Sequence, residues 1–195
     1  MAKSDATPDL GAIEFPTPEA IYDWLAAHHD RETELWVALH KAHTGKPSIT
    51  WEDGVRAALC WGWIDGQKKG GTDIWYQRFT PRRPRSPWSD RNRRHVEDLT
   101  AKGLMQPPGL AEVEKAKADG RWDAAYAGTR DMVIPEDFLT ELAKAPPLAR
   151  ETYASLKKQN LFAIYYRVTS AKKPDTRARR IAKLIDTLAK GETFD

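Results

Sequence analysis

WGWIDGQKKGGTDIWYQRFTPRRPRSPWSDRNRR, residues 61–94, decides how the rest of the chain is read. It opens with two strand-like runs, Ile64–Lys69 and Asp73–Thr80, joined by Gly70-Gly71-Thr72, a composition suited to a tight hairpin. In the second run Trp75, Gln77 and Phe79 share one face while Ile74, Tyr76, Arg78 and Thr80 share the other. Pro81, Pro84 and Pro87 then exclude regular structure, because each lacks a backbone donor and biases the residue before it toward extended conformations. Ser89 reads as the N-cap of a helix through Lys102, with Asn92, His95, Val96 and Leu99 on one stripe and Gly103 as its stop.

Upstream, Thr50 is an N-cap for WEDGVRAALCWGW, whose Glu52 and Asp53 sit at the positive end of the helix dipole. Glu34–Lys41 alternates Leu35, Val37 and Leu39 with Trp36, Ala38 and His40, which predicts a strand buried on both faces. Thr17 and Pro18 start a helix that carries Ile21, Trp24, Leu25 and His28 at helical spacing. Residues 1–15 are polar, contain Pro8 and Gly11 and lack a period, so they read as a flexible lead-in. Downstream every candidate is helical: Leu110–Ala118, Pro135–Lys144, Pro147–Lys158, Leu161–Lys172 and Asp175–Lys190. The fold class that follows is α+β, a small mainly antiparallel sheet with helices and then a helical C-terminal region. The expected organisation is a lead-in over 1–15, an α+β unit with the arginine-rich loop over 16–106, and a helical region over 107–195 packed on it.

With 195 residues, 41% hydrophobic and 30% charged, the chain has the composition of a folded globular protein. It contains no apolar run of the length a membrane span needs, and its N-terminus lacks the apolar core of a secretory signal, so a cytoplasmic location is expected. Cys60 is the only cysteine, which excludes an intramolecular disulfide and thiolate-rich zinc sites. The net charge is +3, but it is unevenly spread. Arg78–Arg94 holds seven arginines against Asp90, and Arg167–Lys183 holds seven basic residues against Asp175, so each block is net +6 and the remainder is −9. Concentrated charge of this kind points to contact with anions.

Five separated motifs resemble the YdeI or OmpD-associated family, also described as bacteriocin-protection proteins. They are WEDGVRAALCWGWIDG, YQRFTPRRPRSPWSDRN, the Gly103–Met105 and Gly109-Leu110 pair, DGRWDAAY at Asp119–Tyr126, and SAKKPDTRARRIAKLIDTLAKG, in this order over Trp51–Gly191. The resemblance implies a role in envelope stress or toxin protection and brings no catalytic residues with it. In element order alone, the N-terminal half is similar to small α+β iron chaperones of the frataxin-like kind, whose acidic helix ridge it lacks.

The first candidate site is an anion-binding surface made by Arg78, Arg82, Arg83 and Arg85 with Ser86, Trp88, Ser89 and Asn92 at the helix start. Guanidinium forks and free helix amides suit phosphate or carboxylate. The competing reading has these arginines pairing with acids or stacking on Trp75 and Trp88. Asp65, Gln67, Lys68, Tyr76 and Gln77 on the hairpin would complete a site for a small polar ligand, and Lys172, Lys173, Arg177 and Arg180 form a second basic patch. His40 and His43 lack a third ligand at suitable spacing, so no metal is expected, and no nucleotide-binding glycine motif implies a cofactor. The reading is a non-enzymatic binding protein for an anionic small molecule or partner. The alternatives are a nucleic-acid-binding protein and an enzyme acting on a small anionic substrate.

Overall fold

The computed structural model describes residues 10–194, and the chain divides into two compact units, Met1–Ala125 and Tyr126–Asp195. Of the expected lead-in, residues 1–9 lie outside the described residues. The rest is structured. Ile13–Glu14 forms strand β1, which pairs in parallel with strand β2, Leu35–His40, through Ile13 opposite Val37 and Glu14 opposite Ala38. Phe15 is buried, and its carbonyl accepts from the Ile49 amide at 3.1 Å. Two residues are too few to show a strand period, so the sequence does not announce this edge strand.

The hairpin of Trp63–Lys69 (β3) and Ile74–Pro81 (β4) is antiparallel, and β4 also pairs antiparallel with β2, giving a four-stranded sheet in the order β1-β2-β4-β3. The face of Leu35, Val37, Leu39 and Phe79 joins the main core with helix α1, Pro18–His28, and helix α2, Trp51–Cys60. The other face buries Trp36, Ala38 and Tyr76 beneath Leu10, Ala12 and Ile74, so β2 is covered on both sides as its composition requires. A capping box starts α2, in which Thr50 and Asp53 exchange side chain and backbone bonds, a device worth about 1 kcal/mol. Gly54 of α2 lies against β4 so closely that a Cβ would sit 2.8 Å from the Phe79 ring.

Ser89 caps helix α3, Asp90–Ala101, and helix α4, Pro107–Ala118, follows. The sequence boundary at 106/107 falls inside this unit. The Gln106 amide donates to the Cys60 carbonyl at 3.1 Å, and a Cβ on Gly109 would meet that carbonyl oxygen at 2.3 Å. The first turn of α4 is therefore docked on the end of α2, and the compact unit runs on to Ala125.

The second unit consists of helices α5, Glu136–Lys144, α6, Pro147–Ala154, α7, Lys158–Thr169, and α8, Pro174–Ala189. Its core holds Phe138, Leu142, Ala149, Ile164, Val168, Ile181, Leu184, Leu188 and Phe194. The helix expected over Pro147–Lys158 ends at Ala154, and the next begins at Lys158 rather than Leu161. Neither glycine nor proline marks that break.

Candidate functional site

The arginine loop is built on its own first arginine. Arg82 is 7% exposed, its guanidinium lies 3.5 Å from the Trp88 ring centroid, and it donates to the Pro87 carbonyl at 3.3 Å. Its backbone amide donates to the Gly62 carbonyl at 2.9 Å, which ties the loop to the start of β3. Trp88 is 1% exposed and meets Trp122 edge-on at 5.0 Å, with Arg93 over the Trp122 ring at 5.4 Å. Arg121 donates to the Ser86 carbonyl at 2.8 Å, so the segment after α4 braces the loop through Arg121 and Trp122. Cation and ring alternate here as in a desolvated stack, where each pairing can be worth up to about 2 kcal/mol.

Between Arg83 and Ser86 the chain makes a β-turn, closed by the Ser86 amide on the Arg83 carbonyl at 3.0 Å. Pro84 occupies its second position. Arg85, at the third, has φ 64°, the one left-handed non-glycine among the described residues. Proline followed by a left-handed residue is the pattern of a type II turn, whose third position ordinarily takes glycine. Arg83 and Arg85 are exposed, as is Arg91 in the first turn of α3.

Several residues assigned to the ligand by the sequence are committed to the fold instead. Gln77 is buried, and its amide donates to the carbonyls of Gly66, Gln67 and Arg78 at 3.0, 3.3 and 3.1 Å, plugging the β-bulge where the register slips between Asp65 and Lys68. Tyr76 is buried on the opposite face of the sheet, because strand alternation carries it away from Gln77. Ser89 and Asn92 are buried and bonded to one another through the cap, with the Asn92 amide on the Ser89 hydroxyl at 3.2 Å. Arg78 pairs with Glu34 at 2.6 Å. Gln67 remains exposed, and exposed Lys68 places its ammonium 4.1 Å from the Trp75 ring centroid.

Asp65 is brought beside the loop. It accepts from Trp51 Nε1 at 3.3 Å, and Arg91 lies over the Trp51 ring at 5.2 Å. Burial raises the Asp65 pKa, opposed by the Trp51 hydrogen bond and by the nearby Arg82 and Arg91 guanidiniums. The Cys60 thiol, 1% exposed, is pushed up to about 11 by burial, against the pull of Arg56, so it is poorly disposed to act as a nucleophile. His40 faces Glu14 at 3.1 Å and His43 faces Asp73 at 3.0 Å, and no three metal-ligating side chains converge among the described residues.

In the second unit the expected basic patch is divided. Arg177 is bound twice to the Asp137 carboxylate, at 2.5 and 2.8 Å, and holds that carboxyl below its ordinary range. Arg180 donates to the Arg167 carbonyl at 2.7 Å and to the Ser170 hydroxyl at 2.9 Å, while Lys172 and Lys173 are exposed. The stretch also carries Arg167 and Lys183, which enter the sequence reading only as charge.

Residues 13–112, just over half of the chain, match the family model described as a domain of unknown function (DUF8412). The chain belongs to the DUF8412 family. The DUF8412 segment contains the whole sheet and the arginine loop. Residues 131–191 match the model described as Bacteriocin-protection, YdeI or OmpD-Associated, so the chain also carries a domain of the family whose motifs it resembles. The motifs from Trp51 to Leu110 fall under the DUF8412 model rather than that one. No curated protein and no solved structure matches the chain. Among the described residues no helix is long and apolar enough to cross a membrane.

Proposed function

We propose that this chain is a cytoplasmic, non-enzymatic binding protein that docks an acidic partner surface on the arginine loop, in the service of bacteriocin protection or envelope stress. The observation that carries the reading is the turn itself. Buried Arg82 anchors it, and Pro84 with left-handed Arg85 stiffens it, so that Arg83, Arg85 and Arg91 stand exposed. Among the described residues none of these three forms an ion pair within 4 Å. The Arg85 guanidinium does contribute to lowering the Asp119 pKa, after the larger effect of Arg121. Stiffening lowers the ordering cost of binding, and exposed arginines on an open loop suit a protein surface better than a small molecule, which favours enclosure. The family description of the second unit supplies the protection context.

The test uses the purified chain and fluorescence anisotropy with a labelled poly-glutamate peptide. Replacing Arg83, Arg85 and Arg91 together by Gln is expected to weaken binding by about fivefold to a hundredfold, since removing each charged group from an exposed rim costs a few tenths to about 1 kcal/mol. The urea midpoint should hold. Unchanged affinity refutes the reading. Tighter binding to an oligonucleotide, with affinity falling steeply as salt is raised, replaces it with nucleic-acid binding.

A further inference from the structure

A cleft of about 400 Å³ lies between α7 and α8, lined by Arg167, Ser170, Arg180, Lys183, Leu184 and Phe194 among others. Three of these six are permanent or near-permanent cations, and among the described residues no carboxylate lines the cleft. Elsewhere in the same unit some helix cations are matched, Arg177 by Asp137, Lys144 by Glu141 and Lys190 by Asp186. Arg167, Arg180 and Lys183, by contrast, form no ion pair among the described residues. Like charges gathered around one hollow repel one another unless something neutralises them.

The cations are also held in place. Arg180 spends one terminal nitrogen on the Arg167 carbonyl and the Ser170 hydroxyl, which fixes its guanidinium across the end of α7 and leaves its other N–H groups for a ligand. Arg167 lies over the Phe194 ring at 5.3 Å. Lys183 stands one turn along α8 from Arg180, on the same side of the helix. The remaining lining is Thr187, buried Leu184 and Phe194, and half-buried Tyr166.

We infer that this cleft binds a phosphomonoester. A dianionic phosphate meets two guanidinium forks and an ammonium, which together supply more donors than one phosphate can use, and the apolar wall takes the organic part. The volume suits a ligand of nucleotide size and excludes a folded protein segment. Every residue that lines the site belongs to the second unit.

The test is amide NMR of the full chain, titrated separately with adenosine monophosphate, with adenosine, and with phosphatidylcholine vesicles containing phosphatidic acid. Adenosine monophosphate or the phosphatidic acid vesicles should shift the Ser170, Lys183 and Thr187 amides along a saturating curve, and adenosine should not. Whichever of the two phosphates binds identifies the source as a free metabolite or a lipid headgroup. Lys183→Gln, an exposed helix-compatible change, should weaken the effect about tenfold, the loss of one charge-assisted hydrogen bond, while Lys183→Arg retains it. The combined change of Arg83, Arg85 and Arg91 should leave the titration unaltered. The inference is overturned when neither phosphate produces a saturable shift, or when Lys183→Gln binds as well as the parent with an otherwise unchanged spectrum.

Discussion

Replacing Arg85 by Gly isolates the strain in the arginine loop. Arg85 sits at φ 64° at the third position of the Arg83–Ser86 turn. Holding an L-residue with a Cβ in the left-handed region costs about 1–2 kcal/mol, and glycine removes that cost. Glycine also gains freedom in the unfolded chain, which returns about 0.5–1 kcal/mol of the advantage. The net expectation is a stabilisation of about 0.5–1 kcal/mol, read as an increase in the urea midpoint with unchanged slope and a rise in Tm of about 1–4 °C. Arg85→Lys is the control, since it keeps the charge and the strain and should leave stability where it was. Affinity for the poly-glutamate probe should fall for Gly and persist for Lys. A glycine variant less stable than the parent would show that the left-handed arginine is supported by its surroundings, and the strain assigned to that position would be refuted.

Two further outcomes follow from groups around the same unit. Gly109→Ala sets a Cβ 2.3 Å from the Cys60 carbonyl oxygen, a backbone neighbour that cannot swing aside, so a loss of about 3 kcal/mol or more is expected in urea unfolding. A loss under about 1 kcal/mol would mean that α4 rides loosely on α2. Asp65 has a folded pKa above its unfolded value, so its charged form is disfavoured in the fold, and its contribution to stability improves as pH falls through the folded pKa. Asp65→Asn can keep the acceptor for Trp51 and should therefore be at least as stable as the parent at neutral pH, with the advantage vanishing in acid. A variant that is clearly weaker at neutral pH would show that Arg82 and Arg91 need the carboxylate more than burial opposes it.

Elements with an end signal and a period are legible in this sequence. Thr17, Thr50 and Ser89 each cap the helix expected after them, and the alternation through Trp75–Phe79 places the sheet faces correctly. Strand β1 and the break between α6 and α7 lack such signals, since one is two residues long and the other contains neither glycine nor proline. The site is less legible than the fold. Charge counting treats Arg82, Arg83 and Arg177 alike, yet one is buried on Trp88, one is exposed, and one is held by Asp137. What separates them is tertiary: the Trp122 and Arg121 braces arrive from far downstream in the chain, and Asp137 is 40 residues from Arg177. Gln77 misleads for a similar reason, because a strand glutamine gives no hint that its partner strand bulges opposite it.

The solitary thiol has a practical corollary. Cys60 closes α2, is 1% exposed and has its pKa at about 11, so in the native chain it should be nearly silent toward alkylating reagents. A cysteine introduced on either unit can then be tagged in the otherwise unaltered protein without competition from the native one. In partial denaturant the same silence becomes a clock. The rate at which Cys60 becomes alkylated times the opening of the first unit, whatever the four helices of the second are doing at that moment.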